Sequence, residues 1–305
     1  MELRAIGAGS GTLWEQRHLC RALDQDRPDV LFAPGYTAPL FTSVPVVLTI
    51  HDVSFAAHPE WFSWREGVRR RLLTRQAARR ARTVLTDTEF SRREIVEHLG
   101  LPSERVSVIR LGVDAPDVGS GTEGDASEPL VLFVGSIFNR RHIPELIEAF
   151  RTVVRSVPAA RLTIVGENRT HPHVDLDTLV DRSGLGHRIA RHHFVSDEEL
   201  AALYRRARVF VFLSEYEGFG LTPLEALAAG VPIVVLDTPV AREVYGRAAR
   251  YVTLEHVQGI SDAIVRLLAE NRDRRDVIDA AAQVLVGYSW QRAAAETLQA
   301  IAGAR

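Results

Sequence analysis

The stretch "SEYEGFGLTPLEALAAGVP", residues 214–232, decides how this chain is read. It follows directly on the apolar run RVFVFL, residues 208–213. Within it Glu217 stands before Gly218, Phe219 and Gly220, and an apolar stretch carrying Glu225 comes next. A buried strand that ends in glycines and then opens a helix aims backbone N–H groups outward, in α/β proteins usually at a phosphate or a sugar. Thr222-Pro223-Leu224-Glu225 also reads as a capping box with proline at the first helical position, which gives Glu225 a purely structural alternative. Glu217 has no such alternative. A carboxylate at the C-terminal edge of a parallel sheet suits the hydroxyls of a sugar.

Outward from this stretch the same alternation repeats. DVLFAP (29–34), PVVLTI (45–50), TVLTD (83–87), VSVIR (106–110), LVLFVG (130–135), RLTIVG (161–166) and PIVVLD (232–237) are further short apolar runs. They read as strands covered on both faces, as in parallel sheets. Between them lie amphipathic helices, two of which open on the capping boxes Ser91–Glu94 and Ser196–Glu199. The expected class is α/β, repeatedly wound. VDAPDVGSGTEGDASEP, residues 113–129, is rich in Gly, Ser, Asp and Pro without periodicity and reads as a linker. It separates an expected domain of residues 1–112 from a second of 130–285, and the segment 286–305 is an additional helix.

Composition bounds the function. The 305 residues carry 39 acids and 37 Lys plus Arg, a balance that argues against a dedicated nucleic-acid binder. One cysteine, Cys20, forms no internal disulfide and no CxxC metal site, which fits a reducing compartment. No run approaches the roughly 18–20 apolar residues of a bilayer span, and the first residues lack a signal-peptide pattern. The expected place is the cytoplasm. Residues 64–82, WREGVRRRLLTRQAARRAR, hold eight arginines and one glutamate on an amphipathic pattern with Trp64, Val68 and Leu72 every fourth residue. That is either a solvated surface helix or a docking face for an anionic membrane surface or an acidic acceptor.

The combination E-x-G-F-G-L-x-x-x-E followed by A-L-A-A-G-x-P resembles the retaining nucleotide-sugar glycosyltransferases of the GT-B fold, family 4. The resemblance implies two Rossmann-like domains with parallel sheets facing across a cleft and a final helix that crosses back to the first domain. It assigns Glu217 to the donor sugar, the Gly218, Phe219, Gly220 and Leu221 backbone to hydroxyls and phosphate, and Glu225 to the ribose. LFVGSIFNRRHIPELIEAF, residues 132–150, matches the family's G-x-x-x-x-R-K-N segment through Gly135 and Arg140, with Arg141 where lysine is usual and His142 where asparagine is usual. There Arg140 and Arg141 are implied to bind the donor diphosphate, and two guanidiniums keep that charge with fork geometry. The segment at Phe194 and Val195 resembles the one whose backbone reads the base, and Glu167 and Asn168 occupy another cleft-facing loop. His51 and Asp52, in the T-I-H-D segment after PVVLTI, resemble the pair facing the anomeric carbon; the alternatives are a satisfied core histidine and a cap. LWEQRHLCRAL, VLFAPGYTAPL and VLTDTEFSRREI resemble the mannosyl- and rhamnosyl-type branch, with Thr88 in place of a common serine.

The implied reaction moves a hexose from a nucleotide-diphosphate sugar, by resemblance of the GDP-mannose type, to a hydroxyl with retention and without a metal or other cofactor. Catalytic roles fall to Glu217, His51, Asp52 and Arg141; donor contacts fall to Gly135, Arg140, Arg141, Val195, residues 218–221 and Glu225. Family members open with a further strand, glycine loop and long helix ahead of the WEQ segment, so either the true start lies upstream, or another chain covers the gap, or the first domain is reduced; the missing sheet elements also favour self-association. The expected partners are the nucleotide-sugar donor, a sugar or lipid-linked glycan acceptor, and the inner face of a membrane through the 64–82 helix. The alternatives in function are a non-catalytic nucleotide-sugar-binding subunit and a GT-B nucleotide-sugar epimerase. Three other motifs are set aside. GAGSG (7–11) lacks the third glycine of a dinucleotide fingerprint, the DLD triplet (175–177) falls in an expected helix, and HPH (171–173) and RHH (191–193) lack a partner at ligand spacing.

Overall fold

A computed structural model describes residues 4–7, 9, 11–114 and 129–305. The chain divides into two compact units, Met1–Leu111 with Trp290–Arg305, and Gly112–Ser289. Of the expected linker 113–129, residues 115–128 lie outside the described residues.

The first unit begins with α1 (Gly11–Trp14), a π-helical turn and α2 (Cys20–Asp26). It continues through β1 (Leu31–Ala33), β2 (Val46–Thr49), α3 (Ser54–Ala57), α4 (Trp64–Arg80), β3 (Thr83–Thr86), α5 (Glu89–Leu99) and β4 (Val106–Val108). The four strands pair in parallel in the order β1-β2-β3-β4. Side chains alternate across a strand, so β2 feeds two cores. Val46 and Leu48 join Ala77, Ala78, Val84, Ile95 and Leu99 beneath α4 and α5. Val47 joins Leu85, Ile109, Ala293 and Ala304 on the opposite face, under the last helix of the chain. β1 is a short edge strand whose Phe32 is partly exposed.

The second unit runs β5 (Leu130–Val134), α6 (Ile143–Ser156), β6 (Arg161–Val165), α7 (Leu176–Ser183), β7 (Ile189–His192), α8 (Asp197–Arg206) and β8 (Ala207–Phe212). It goes on through α9 (Leu221–Ala228), β9 (Ile233–Leu236), α10 (Pro239–Tyr245), β10 (Ala249–Val252), α11 (Val257–Ala269) and α12 (Asn271–Leu285). The helix α13 (Trp290–Gly303) returns to the first unit. Six parallel strands take the order β10-β9-β8-β5-β6-β7. Every residue of β5 is buried, as are the last four of β8, because both strands are central and covered on both faces. Strand order reverses between β5 and β8, so the loops leaving their C-terminal ends diverge there and form a crevice, the usual ligand position of a doubly wound sheet.

All eight expected strands occur. β7 and β10 were not anticipated; both are sheet edges, and their sequences IARH and ARYV carry polar residues because each is only partly covered. Ser196 forms the full reciprocal capping box with Glu199. The box expected at Ser91–Glu94 is replaced: α5 starts earlier, and Thr88 caps it by accepting from the Ser91 N–H at 3.0 Å.

Candidate active site

In the second unit, the expected donor residues come from the two loops of the switch point. Gly135 follows β5 directly; its φ of +143° is left to glycine, and a Cβ there would stand 2.7 Å from Arg141 Nη1. The missing side chain lets Arg141 fold back over the strand end. Residues Asn139–Arg141 form a single 3₁₀ turn, after which His142, itself left-handed, opens α6. The Glu215 N–H donates to the Arg140 carbonyl at 3.0 Å and Arg140 Nε to the Tyr216 carbonyl at 3.3 Å, which ties the arginine turn to the loop after β8. The Arg140 guanidinium lies 4.3 Å from the Phe138 ring centroid.

Arg141 is the centre of the arrangement. Its Nε and Nη2 each lie 2.8 Å from Glu217 Oε1, and Nη1 donates to the Ser136 carbonyl at 2.7 Å. The guanidinium also sits 4.8 Å from the centroid of Phe212, the last residue of β8. Ser214 Oγ donates to the same Glu217 oxygen at 2.8 Å. Both side chains of the pair are largely buried, at 13% and 16% exposure. Three donors therefore fix one oxygen of Glu217, and its other oxygen has no protein partner among the described residues.

The glycine loop is held from beneath. Phe219 is buried, its ring edge-on to Tyr288 at 5.3 Å, so its side chain anchors the loop and its backbone is what the loop presents. Gly220 has φ +90° and is the N-cap of α9. Tyr245, from α10, donates its hydroxyl to the Gly220 carbonyl at 2.9 Å. Burial and the Glu217 charge push the Tyr245 hydroxyl far above its ordinary pKa, so it stays a donor. Leu221 begins α9, and the helix thus starts ahead of Thr222. The capping-box alternative for Glu225 is overturned: no side chain caps α9, and Glu225 instead accepts from the Tyr204 hydroxyl at 3.2 Å. Burial raises the Glu225 carboxyl, and the Tyr204 hydroxyl counters part of that rise.

Other expected positions are less assembled. Val195 is half-buried between β7 and α8, beside an exposed Phe194. Glu167 is exposed and pairs with Arg169, while Asn168 spends both ends of its amide on its own loop, at Val174 and Thr170. Asp175 of the DLD triplet caps α7, and Asp177 pairs with Arg191.

In the first unit, His51 follows β2 and Asp87 follows β3. Thr49 pairs with Leu85 in the parallel register, so His51 and Asp87 are the next in-phase neighbours beyond the strand ends. His51 Nδ1 lies 2.8 Å from Asp87 Oδ2, and Nε2 lies 3.1 Å from the Pro34 carbonyl. Both ring nitrogens face acceptors, which favours the doubly protonated ring. The Asp87 hydrogen bond raises the His51 pKa against the opposing effect of burial, and burial raises that of Asp87. Asp52 accepts from the Tyr36 hydroxyl at 2.8 Å and, on its other oxygen, from the Ser54 N–H at 2.8 Å. Tyr36 in turn meets His51 edge-on at 5.8 Å. Sequence reading missed Asp87, Tyr204, Ser214 and Tyr245. Only Asp87 carried a usable signal, as an acid at the end of a neighbouring strand.

Among the described residues the clustered metal-type ligands are Glu94, Glu97 and His98, all on the single helix α5.

The model of the group 1 glycosyl transferases matches residues 122–284, and that of glycosyltransferase family 4 matches residues 4–116. The O-antigen chain mannosyltransferase B of Escherichia coli is 27% identical over 264 residues, 83% of this chain and 69% of that protein. The glycogen synthase of Mycobacterium tuberculosis is 29% identical over 294 residues, 92% of this chain and 70% of that protein. Anabaena HepE, solved with UDP-glucose, superposes with a TM-score of 0.75 at 19% identity, covering 95% of this chain and 84% of that one. With a parallel sheet in each unit and the family match over more than half its length, the chain belongs to the group 1 glycosyl transferases and is a glycosyltransferase of the GT-B fold.

Proposed function

We propose that the protein transfers a hexose from a nucleoside-diphosphate sugar to a hydroxyl acceptor, with retention at the anomeric carbon. The observation that carries this reading is the Arg141–Glu217–Ser214 cluster at the strand-order reversal, with a glycine loop immediately beside it. Cleaving the glycosidic bond to diphosphate leaves negative charge on phosphate oxygens. Fixed donors aimed at that charge lower the barrier because they need no reorganisation during the step. Arg140 and Arg141 provide two guanidiniums on a rigid turn, and the backbone from Gly218 to Leu221 provides N–H groups at the start of α9. This fixed positive charge serves where a divalent ion serves in other transferases, so the reaction is proposed to run without metal.

Glu217 holds one oxygen against Arg141 and offers the other to the sugar hydroxyls. Glu225, oriented by Tyr204, takes the ribose, and Val195 lies on the segment that meets the base. In the first unit His51 is assigned to catalysis through the charge of its protonated ring and not as a base, since both its nitrogens already face acceptors. Asp52 acts through Tyr36 and the turn at Ser54. Glu217 is already held by Arg141 and Ser214, so the acceptor proton is assigned to the departing phosphate on the same face and not to an enzyme nucleophile. GDP-mannose is the proposed donor, in keeping with the mannosyltransferase among the relatives. The acceptor is proposed to be a glycan hydroxyl.

The deciding experiment follows nucleoside-diphosphate release from UDP-, GDP-, ADP- and dTDP-hexoses with and without chelator, and the anomeric configuration of the product by NMR. Acceptor-dependent release with retained configuration is expected. Conversion of donor without acceptor would identify an epimerase, and nucleotide binding without turnover would identify a binding subunit.

A further inference from the structure

His142 joins the two loops of the donor site by a route that the donor residues themselves do not use. Its backbone, at φ +48°, closes the turn of Arg140 and Arg141 by donating its N–H to the Asn139 carbonyl at 3.1 Å. Its carbonyl accepts the Leu146 N–H at 3.0 Å and so starts α6, but its side chain takes no part in capping that helix. The ring is largely buried between two carboxylates. Nδ1 lies 3.5 Å from Glu145 Oε1 on α6, and Nε2 lies 3.5 Å from Glu215 Oε2 in the loop after β8. The buried Nε2 has no hydrogen-bond partner among the described residues, so the Glu215 carboxylate answers it as an ion pair.

Glu215 belongs to the segment that builds the site. Its N–H donates to the Arg140 carbonyl; Ser214 before it binds Glu217, and the Tyr216 carbonyl after it accepts from Arg140. The ring therefore touches both halves of the clamp, the turn that carries the arginines and the loop that carries Glu217. A protonated imidazole has a donor on each nitrogen and meets both carboxylates, whereas a neutral ring turns a lone pair toward one of them. Burial by itself lowers the pKa of the ring; Glu145 and Glu215 together outweigh it and raise the pKa. The same contact with His142 lowers the Glu145 carboxyl. The cations next to the ring in the chain are engaged elsewhere, Arg140 with the Tyr216 carbonyl and Arg141 with Glu217.

Resting on the donor site proposed above, we propose that His142 is a positioning residue for sugar-nucleotide binding. Its protonated ring straps the start of α6 to the loop after β8 through Glu145 and Glu215, and so holds Arg140, Arg141 and Glu217 in place around the diphosphate. When the ring loses its proton at higher pH, one arm of the strap gives way to repulsion between a lone pair and a carboxylate. Donor affinity falls with it. A bound diphosphate brings negative charge to the turn beside the ring, so by linkage binding draws a proton onto the protein at the alkaline end.

The test is calorimetric titration of the whole protein with GDP-mannose and with UDP-glucose, from about pH 6 to about pH 8.5. A sugar nucleotide is the probe because its diphosphate is esterified at both ends and does not titrate in this interval. Affinity is expected to fall about threefold to tenfold with rising pH, and the binding heat to vary with the ionisation enthalpy of the buffer. In His142→Asn, a residue that tolerates left-handed backbone, the fall should shrink to less than about twofold and most of the proton uptake should disappear. The other histidines are unchanged in that variant, so the difference isolates His142. With no nucleotide present, NMR titration of the ring should give a lower His142 pKa in Glu215→Gln than in the native protein. An unchanged circular dichroism spectrum identifies folded variants, and the Glu215→Gln titration tests the strap even where His142→Asn does not fold. Equal pH dependence in the native protein and His142→Asn overturns the proposal, as does a His142 pKa unmoved by Glu215→Gln. A ring that titrates as expected in a protein that gives no heat with either sugar nucleotide marks failure of the donor-site reading, and the positioning role falls with it.

Discussion

Arg141 and Glu217 lie 76 positions apart in the chain, yet Nε and Nη2 of the arginine both reach one carboxylate oxygen at 2.8 Å. The pair exists because β5 and β8 are neighbours at the point where strand order reverses. Each residue leaves its own strand end and meets the other over the crevice. If this pair orients donor and leaving group, Glu217→Gln keeps an acceptor for Ser214 and Arg141 but removes the charge. Nucleoside-diphosphate release should fall by about 10²-fold or more in Glu217→Gln and in Arg141→Ala. Retained thermal unfolding cooperativity together with unaltered release would refute the assignment.

Gly220 cannot carry a side chain. Its φ is +90°, and an added Cβ would stand 2.1 Å from the Tyr245 hydroxyl oxygen. Gly220→Ala should cost about 2 kcal/mol or more of stability. In Gly220→Ala/Tyr245→Phe the obstructing oxygen is gone and the ring carbon behind it lies 3.4 Å away, so part of the loss should return. Chemical denaturation of the two singles and the double measures the coupling. Strict additivity would sink the account.

Tyr204 is buried and its hydroxyl meets Glu225. Tyr204→Phe leaves the ring and removes the donor, so the Glu225 carboxyl should rise further in pKa. Nucleoside-diphosphate affinity, read by calorimetry, should weaken by about threefold to tenfold. If Glu225 serves only packing, affinity will not change.

His51 titrates with a raised pKa because Asp87 accepts its Nδ1 proton. The contribution of the raised His51 pKa to stability is fully present below the unfolded histidine pKa and is lost as pH rises through the folded one. Asp87→Asn should lower the His51 pKa, seen by NMR titration of the ring, and should flatten the decline of stability with rising pH across that interval. A His51 resonance that titrates unchanged in the variant contradicts the pairing.

Ser196 caps α8 reciprocally with Glu199 on an exposed helix end. Ser196→Ala should lower unfolding free energy by about 1 kcal/mol, with turnover unaffected, by denaturant titration and product assay.

The local order of this protein was legible in the residues themselves. Strands buried on both faces announce themselves as continuous Val, Leu, Ile and Phe runs, which is why LVLFV and RVFVF needed no neighbour to be read. Ser196 and Glu199 are three residues apart and form a box within one turn, so sequence determined that cap as well. IARH and ARYV did not show as strands, because an edge strand is half solvated and its pattern is diluted. The caps at Thr88 and Gly220 moved α5 and α9 ahead of their expected starts, and with that shift Glu225 was released from capping to meet Tyr204. These outcomes depend on backbone turns that single-residue preferences only bias.

Sequence alone determined the α/β class, the glycine loop and the residue types that carry charge, since each is encoded within a few neighbouring positions. Only the tertiary structure decided which charges meet. Arg141 with Glu217, His51 with Asp87 and Tyr245 with Gly220 are brought together by strand order and register, and those follow from burial of the whole sheet and not from any short stretch of the chain.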